Sequence, residues 1–258
     1  MAIENDSEFS GKKIFFLYPS SLIQNEIAYE LVQQEYEVYL IKDHLKIKRV
    51  LKKFPDSIVF INVDDGVDEK SWEAWMKGLL ADPFTARIKL GLLTAMRDEA
   101  LEKKFSTTFK LPCGYTEVSK SDPLKTVKTI FGYLLAVEAR GRRKYLRASS
   151  ENDTQMTINI PYNSLFLKGV IKDISVTGLS CVFQEDPMLD KNTLCQDMQI
   201  KLQSIILKTE AICFGSRPDG LQKIYVFLFT QRIDPDVRIK IRSFIQSLMQ
   251  SKLEKLLR

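Results

Sequence analysis

At 258 residues, 45% hydrophobic and 28% charged, the chain is long enough for two globular domains, and its net charge of +5 is too mild for general nucleic-acid binding without local clustering. No apolar run approaches the roughly 20 residues that cross a bilayer, and neither a G-x-x-x-x-G-K-[ST] loop nor a G-x-G-x-x-G turn occurs. Cys113, Cys181, Cys195 and Cys213 lack C-x-x-C spacing and His44 is the only histidine, which disfavours zinc sets and His-based nucleophile pairs. No metal or cofactor is expected, and the chain reads as a binding protein, not an enzyme. Acids within Met1 to Phe9 are unlike a secretory signal, which implies a cytoplasmic protein with buried, reduced thiols.

The first half alternates strand and helix. A buried strand is predicted over Lys12 to Ser20, ended by Tyr18-Pro19-Ser20-Ser21, and helical spacing follows from Leu22 to Gln34. The alternation continues as strand Glu37 to Ile41, helix Leu45 to Phe54, strand Ser57 to Val63 and helix Ser71 to Leu80. Strand Ile88 to Thr94, helix Asp98 to Phe105 and a weaker strand Tyr115 to Val118 complete it. Ser121-Asp122-Pro123 then starts a last helix whose apolar face is Leu124, Val127, Ile130, Phe131, Leu134 and Leu135. Short apolar strands in regular β/α alternation predict a doubly wound, five-stranded parallel sheet over residues 1–138.

These five units, with Leu92-Leu93-Thr94-Ala95 closing the fourth strand and Lys120 after the fifth, resemble the receiver domain of bacterial response regulators. The resemblance implies an acid pair after the first strand to bind magnesium, and a phosphoryl-accepting aspartate at the end of the third. Here those positions hold Tyr18-Pro19-Ser20-Ser21 and Asn62, and an amide cannot attack as a carboxylate does. Thr94 and Lys120 match the family, while Asp64-Asp65-Gly66 reads as a loop turn. The expectation is a receiver-like scaffold that is not phosphorylated and serves a protein partner or a homodimer. Trp72 and Trp75, three apart, are expected to pack on the sheet, with partner anchoring as the other reading.

Beyond this half lies Arg140 to Arg147, four arginines and a lysine in eight residues, the stretch in which basic charge is read as strongly clustered. Runs rich in β-branched and aromatic residues follow: Thr154 to Ile160, Leu165 to Asp173, Leu179 to Phe183, Leu194 to Leu202, Ile205 to Phe214 and Lys223 to Thr230. Turns are predicted at Pro161-Tyr162-Asn163, Asp186-Pro187 and Gly215 to Gly220. A six-stranded antiparallel barrel with a long C-terminal helix, marked by Val237, Ile241, Phe244, Ile245, Leu248 and Leu256, is expected over residues 139–258. The whole chain is thus α/β plus all-β.

Between the second and third barrel strands stands Asp173-Ile174-Ser175-Val176-Thr177-Gly178. An acid, a hydroxyl and a glycine at these offsets can accept from N–H groups, donate to a phosphate and admit close backbone approach. Arg143-x-x-x-Arg147 and Asp173-x-Ser175-x-x-Gly178, flanking early strands of a barrel, resemble the PilZ domain. That resemblance implies cyclic di-GMP as ligand, with Arg143 and Arg147 on phosphates and the guanine O6/N7 edge. It implies Asp173 accepting from a guanine N–H, Ser175 donating to a phosphate or base, and Gly178 permitting the turn. In the family the residue just before the first motif bears on how many ligand molecules bind, and the resemblance implies that Arg142 there favours a stacked pair. A nucleic-acid-binding regulator and a ligand-free interaction adaptor are the alternatives; no helix-turn-helix pattern supports the first, and the intact signature residues oppose the second.

Overall fold

The computed structural model of the chain describes residues 11–150, 155–162 and 165–258; Thr154 and Asn163, in the expected strand and turn, lie outside them, as does Met1 to Phe9. Contacts divide the chain into two compact units, Met1–Lys144 with Gln250–Arg258, and Tyr145–Met249.

The first unit is built on five parallel strands, β1 (Ile14–Leu17), β2 (Val38–Ile41), β3 (Ile58–Asn62), β4 (Lys89–Thr94) and β5 (Tyr115–Glu117), in the order β2-β1-β3-β4-β5. Every residue of β1 and β3 is buried, as a sheet covered on both faces requires, and this is why those strands read as apolar runs, with only Asn62 at the end of β3 polar. β1 stops at Leu17, short of the expected Ser20, because Tyr18 takes a left-handed backbone (φ 49°).

The helices are α1 (a π-helical stretch Ile23–Ala28 continuing as Tyr29–Gln33), α2 (His44–Leu51), α3 (Glu69–Ala81), α4 (Glu99–Thr108) and α5 (Pro123–Ala136). Four share one starting device: Asp43, Asp68, Asp98 and Asp122 each accept a hydrogen bond from a backbone N–H of the first turn. Such a cap is worth about 0.5–2 kcal/mol. The Asp68 cap explains why α3 begins at Glu69, before the expected Ser71. Trp72 and Trp75 are buried, with indole N–H groups donating to the Asp65 and His44 carbonyls, so they pack and do not serve as exposed anchors.

In the second unit, β7 (Met156–Tyr162), β8 (Leu165–Ser175), β9 (Gly178–Phe183), β10 (Leu194–Leu202), β11 (Ile205–Asp219) and β12 (Gln222–Phe229) pair antiparallel in the order β8-β7-β10-β11-β12-β9. A β8–β9 pairing closes them into a barrel, and a two-residue strand, β6 (Ala148–Ser149), adds outside β8. Inward residues such as Ile158, Ile160, Ile171, Leu179 and Phe227 fill it. α6 (Pro235–Leu257) contributes Ile241, Phe244 and Ile245 to the same core.

The expected loop Gly215 to Gly220 is instead mostly strand. A bulge between Cys213 and Gly215 (φ 144°) lets β11 run on to Asp219, and the turn narrows to Gly220-Leu221, with Gly220 at φ 59° as a tight hairpin needs. All four cysteines are free and buried; burial pushes the Cys113 thiol to about 12 and Cys195 to about 11, so both stay protonated.

Buried Tyr225 donates its hydroxyl to Asp186, which also pairs with Lys223 at 2.7 Å. Hydrogen bonds from Lys223 and then Tyr225 hold the Asp186 carboxyl at about 2, below its ordinary 3.8. A lowered folded value stabilises above the unfolded one and is lost as pH falls through the folded one. Wild type should therefore lose more stability than Asp186→Asn between about pH 4 and 2; urea titrations across that window, with parallel slopes for the two proteins, would refute the coupling.

Candidate functional site

The pairing of Ala148 with Ile174 and Ser149 with Asp173 sets the site. It brings Arg147, the residue before β6, alongside Asp173, with guanidinium nitrogen and carboxylate oxygen 3.7 Å apart. Their side chains are 55% and 31% exposed, so the pair lies open to solvent at the barrel surface. A bulge in β8 between Ile171 and Asp173 sets Asp173 opposite Ser180 of β9, and the Ser180 hydroxyl donates to the second carboxylate oxygen. Ser180, itself buried, is a residue the motif does not include. Its only sequence signal is its position two residues past Gly178, on the partner strand of the hairpin.

Ser175 and Gly178 close the β8–β9 hairpin around Val176-Thr177. The buried Ser175 hydroxyl donates to the Gly178 carbonyl at 3.1 Å and accepts from the Thr177 N–H at 3.3 Å. Its chemistry is therefore used inside the turn, where it holds the loop's shape. Gly178 is needed for packing: a Cβ there would run into the Phe227 carbonyl oxygen of β12 and crowd Leu228 Cα. Gly178 is not in a left-handed conformation, so close strand approach is what demands glycine.

Upstream, the arginine run is divided in its duties. Arg140 lies 4.7 Å from the Tyr36 ring centroid and donates to the Tyr36 hydroxyl (3.2 Å) and the Gln34 carbonyl (3.1 Å), fastening the chain after α5 to the first unit. Gly11 (φ 88°) runs beneath this segment, where a Cβ would lie 2.7 Å from the Ala139 oxygen and the Gly141 nitrogen. Arg142 and Arg143 are exposed, and each is engaged in contacts of its own.

In the first unit Asn62 is buried and its amide donates to the Tyr18 carbonyl at 2.9 Å. Asp64 accepts from the Thr94 hydroxyl at 2.8 Å and from the Ala95 N–H, tying the end of β3 to the turn after β4. The nearby acid is thus occupied as a turn clamp. Among the described residues no group of three or more His, Cys, Asp or Glu is placed to hold a metal ion, and no helix is long and apolar enough to cross a membrane.

No protein-family model and no curated protein matches the chain. Among solved structures, it is similar to the PilZ domain with c-di-GMP of YcgR from Escherichia coli: 17% identity, 44% of this chain, 96% of that one, TM-score 0.38. The crystal structure of YcgR in complex with c-di-GMP, also from Escherichia coli, is similar at 19% identity over 45% of this chain and 50% of that one, TM-score 0.40. The MrkH–c-di-GMP complex from K. pneumonia gives 15% identity over 45% and 57%, TM-score 0.40. The chain spans about half the length of these two longer structures.

Gly178→Ala should destabilise the barrel by about 1–3 kcal/mol through overpacking against backbone that cannot yield. Chemical unfolding monitored by tryptophan-independent signals such as far-UV circular dichroism checks this, and an unchanged midpoint would show that β12 can move away at no cost.

Proposed function

We propose that residues 139–258 form a receptor for cyclic di-GMP, gripping it with Arg143, Arg147 and Asp173, and that occupancy alters the arrangement of the chain or its binding of a protein partner. The observation that carries this reading is the Arg147–Asp173 pair, solvent-exposed and braced from behind by Ser180. A guanine offers the complement of such a pair. Its O6/N7 edge takes a guanidinium bidentately and its N–H groups donate to a carboxylate. Arg143, four residues upstream, supplies a second guanidinium for the phosphodiester, and Arg142 suits a stacked pair of ligand molecules. Ser175 and Gly178 act by shaping the hairpin that presents Asp173. The first unit serves as the scaffold for partner contact, with Asn62 in place of a phosphoryl acceptor.

Isothermal titration with cyclic di-GMP should show saturable binding. Loss of a charge-assisted hydrogen bond costs about 1.5–3 kcal/mol, so Arg143→Ala, Arg147→Ala and Asp173→Ala should each weaken it roughly 10- to 150-fold. Wild-type heat indistinguishable from buffer, or full affinity in Asp173→Ala, would dismiss the assignment.

A ligand can shift an equilibrium only by its differential affinity for two arrangements. Spin labels at exposed Lys70 of α3 and at Ser204 of the β10–β11 turn should report a distance distribution that changes on adding cyclic di-GMP. Superimposable distributions at saturating ligand would leave a receptor without this switch.

A further inference from the structure

The first unit carries a basic surface that plays no part in the site above. Lys42 to Asp56 holds six lysines and arginines against two acids, an excess of four in a chain whose net charge is +5. On α2 and its flanks, Ile47, Val50 and Leu51 point into the core, while Lys42, Leu45, Lys46, Arg49, Lys52 and Lys53 are exposed at the spacing of one helical face. Lys46 is 3.9 Å from Asp43, and Lys52 pairs with Asp82 at 2.8 Å. Lys42, Arg49 and Lys53 have no acidic partner within ion-pair distance among the described residues.

Folding does not require this arrangement. Like charges at i,i+3 and i,i+4 repel, and although Arg49, Lys52 and Lys53 complement the negative end of the helix dipole, Lys42 and Lys46 sit at its positive end, where a cation is unfavourable. Two large apolar side chains stand among these bases. Leu45 is 71% exposed, and Phe84, 67% exposed, lies 5.6 Å below the Lys52 ammonium.

We propose that this face adsorbs to an anionic lipid bilayer. Five of the six bases in Lys42 to Asp56 are lysines, point charges suited to a diffuse negative surface more than to the fixed geometry of a bidentate partner. Exposed Leu45 and Phe84 gain nothing from a hydrated phosphate backbone but are accommodated at the headgroup boundary of a bilayer. A convex helix face meets a fluid surface without needing a matched cavity. The inference is independent of cyclic di-GMP binding.

Full-length protein should co-sediment with vesicles of phosphatidylglycerol mixed with phosphatidylcholine, stay in solution with phosphatidylcholine alone, and be released by salt. Each base contributes roughly fivefold near such a surface, so Lys46→Glu/Arg49→Glu/Lys53→Glu should lose roughly 100-fold or more of vesicle affinity. It should keep its circular dichroism spectrum and its titration with cyclic di-GMP. If that variant fails to fold, Lys42→Gln/Lys53→Gln, outside the helix proper, should show a smaller loss in the same direction. Leu45→Asn should weaken vesicle binding several-fold. Equal sedimentation with neutral vesicles, no loss in the charge variants, or retention of duplex DNA through these residues without vesicle binding would each overturn the proposal.

Discussion

The antiparallel pairing of β6 with β8 is the constraint on which the C-terminal site depends. Two residues of strand convert a sequence separation of 26 between Arg147 and Asp173 into a distance of 3.7 Å. The pair itself stabilises little, because an exposed ion pair is worth about 0.2–1 kcal/mol. Its position comes from elsewhere: the β8 bulge, the Ser180 hydroxyl and the Ser175–Gly178 hairpin fix the carboxylate, and burial of Leu146 and Ala148 on either side of Arg147 fixes the arginine's base. A weakly held pair on a rigid mount is what a polar ligand can displace cheaply, since the donor and acceptor remain in place when they exchange partners.

Much of the fold was legible because the sequence obeys local rules where the chain is buried. Apolar runs at Ile14–Leu17 and over residues 58–61 announce strands covered on both faces, and a capping aspartate precedes each helix from α2 to α5. What escaped were features set by pairing between strands. β6 is too short to show a period, the bulge at Gly215 disguises five further residues of β11 as a loop, and Ser180 gains its role only from standing opposite Asp173. The same limit bears on two motif positions. Ser175 carries the chemistry to reach a ligand yet spends it inside its own turn, and Gly178 is required by the backbone of β12, a strand some 50 residues away. Motif spacing by itself does not distinguish a contact from the support beneath it.

A cluster of surface charge can be hidden along a sequence for a related reason. Arg140 to Arg147 stands out because five bases fall within eight residues, and it is read as the strongly clustered stretch. On a helix, however, density is measured across a face, and residues three and four apart are neighbours. Lys42, Lys46, Arg49 and Lys53 are diluted along the chain by Ile47, Val50 and Leu51, whose side chains turn inward and leave the basic residues together outside. Conversely, the bases of the arginine stretch take separate partners, Arg140 with Tyr36 and Gln34 and Arg147 with Asp173.

The two basic regions also differ in kind, and the difference follows from side-chain chemistry. The C-terminal one is arginine-dominated and set against an acid, which suits a ligand having both acceptor edges and N–H donors at fixed positions. The face of α2 is lysine-dominated, lightly paired with acids and interrupted by Leu45, which suits a partner that offers negative potential without fixed geometry. Arginine holds a planar fork whose hydrogen bonds specify orientation, whereas lysine on a flexible stem contributes to a field that tolerates many orientations. The two regions therefore suit partners of different chemistry, one with fixed donors and acceptors and one with a diffuse negative potential. Added salt should weaken attraction to the face of α2, because its exposed field is screened within about 8–10 Å.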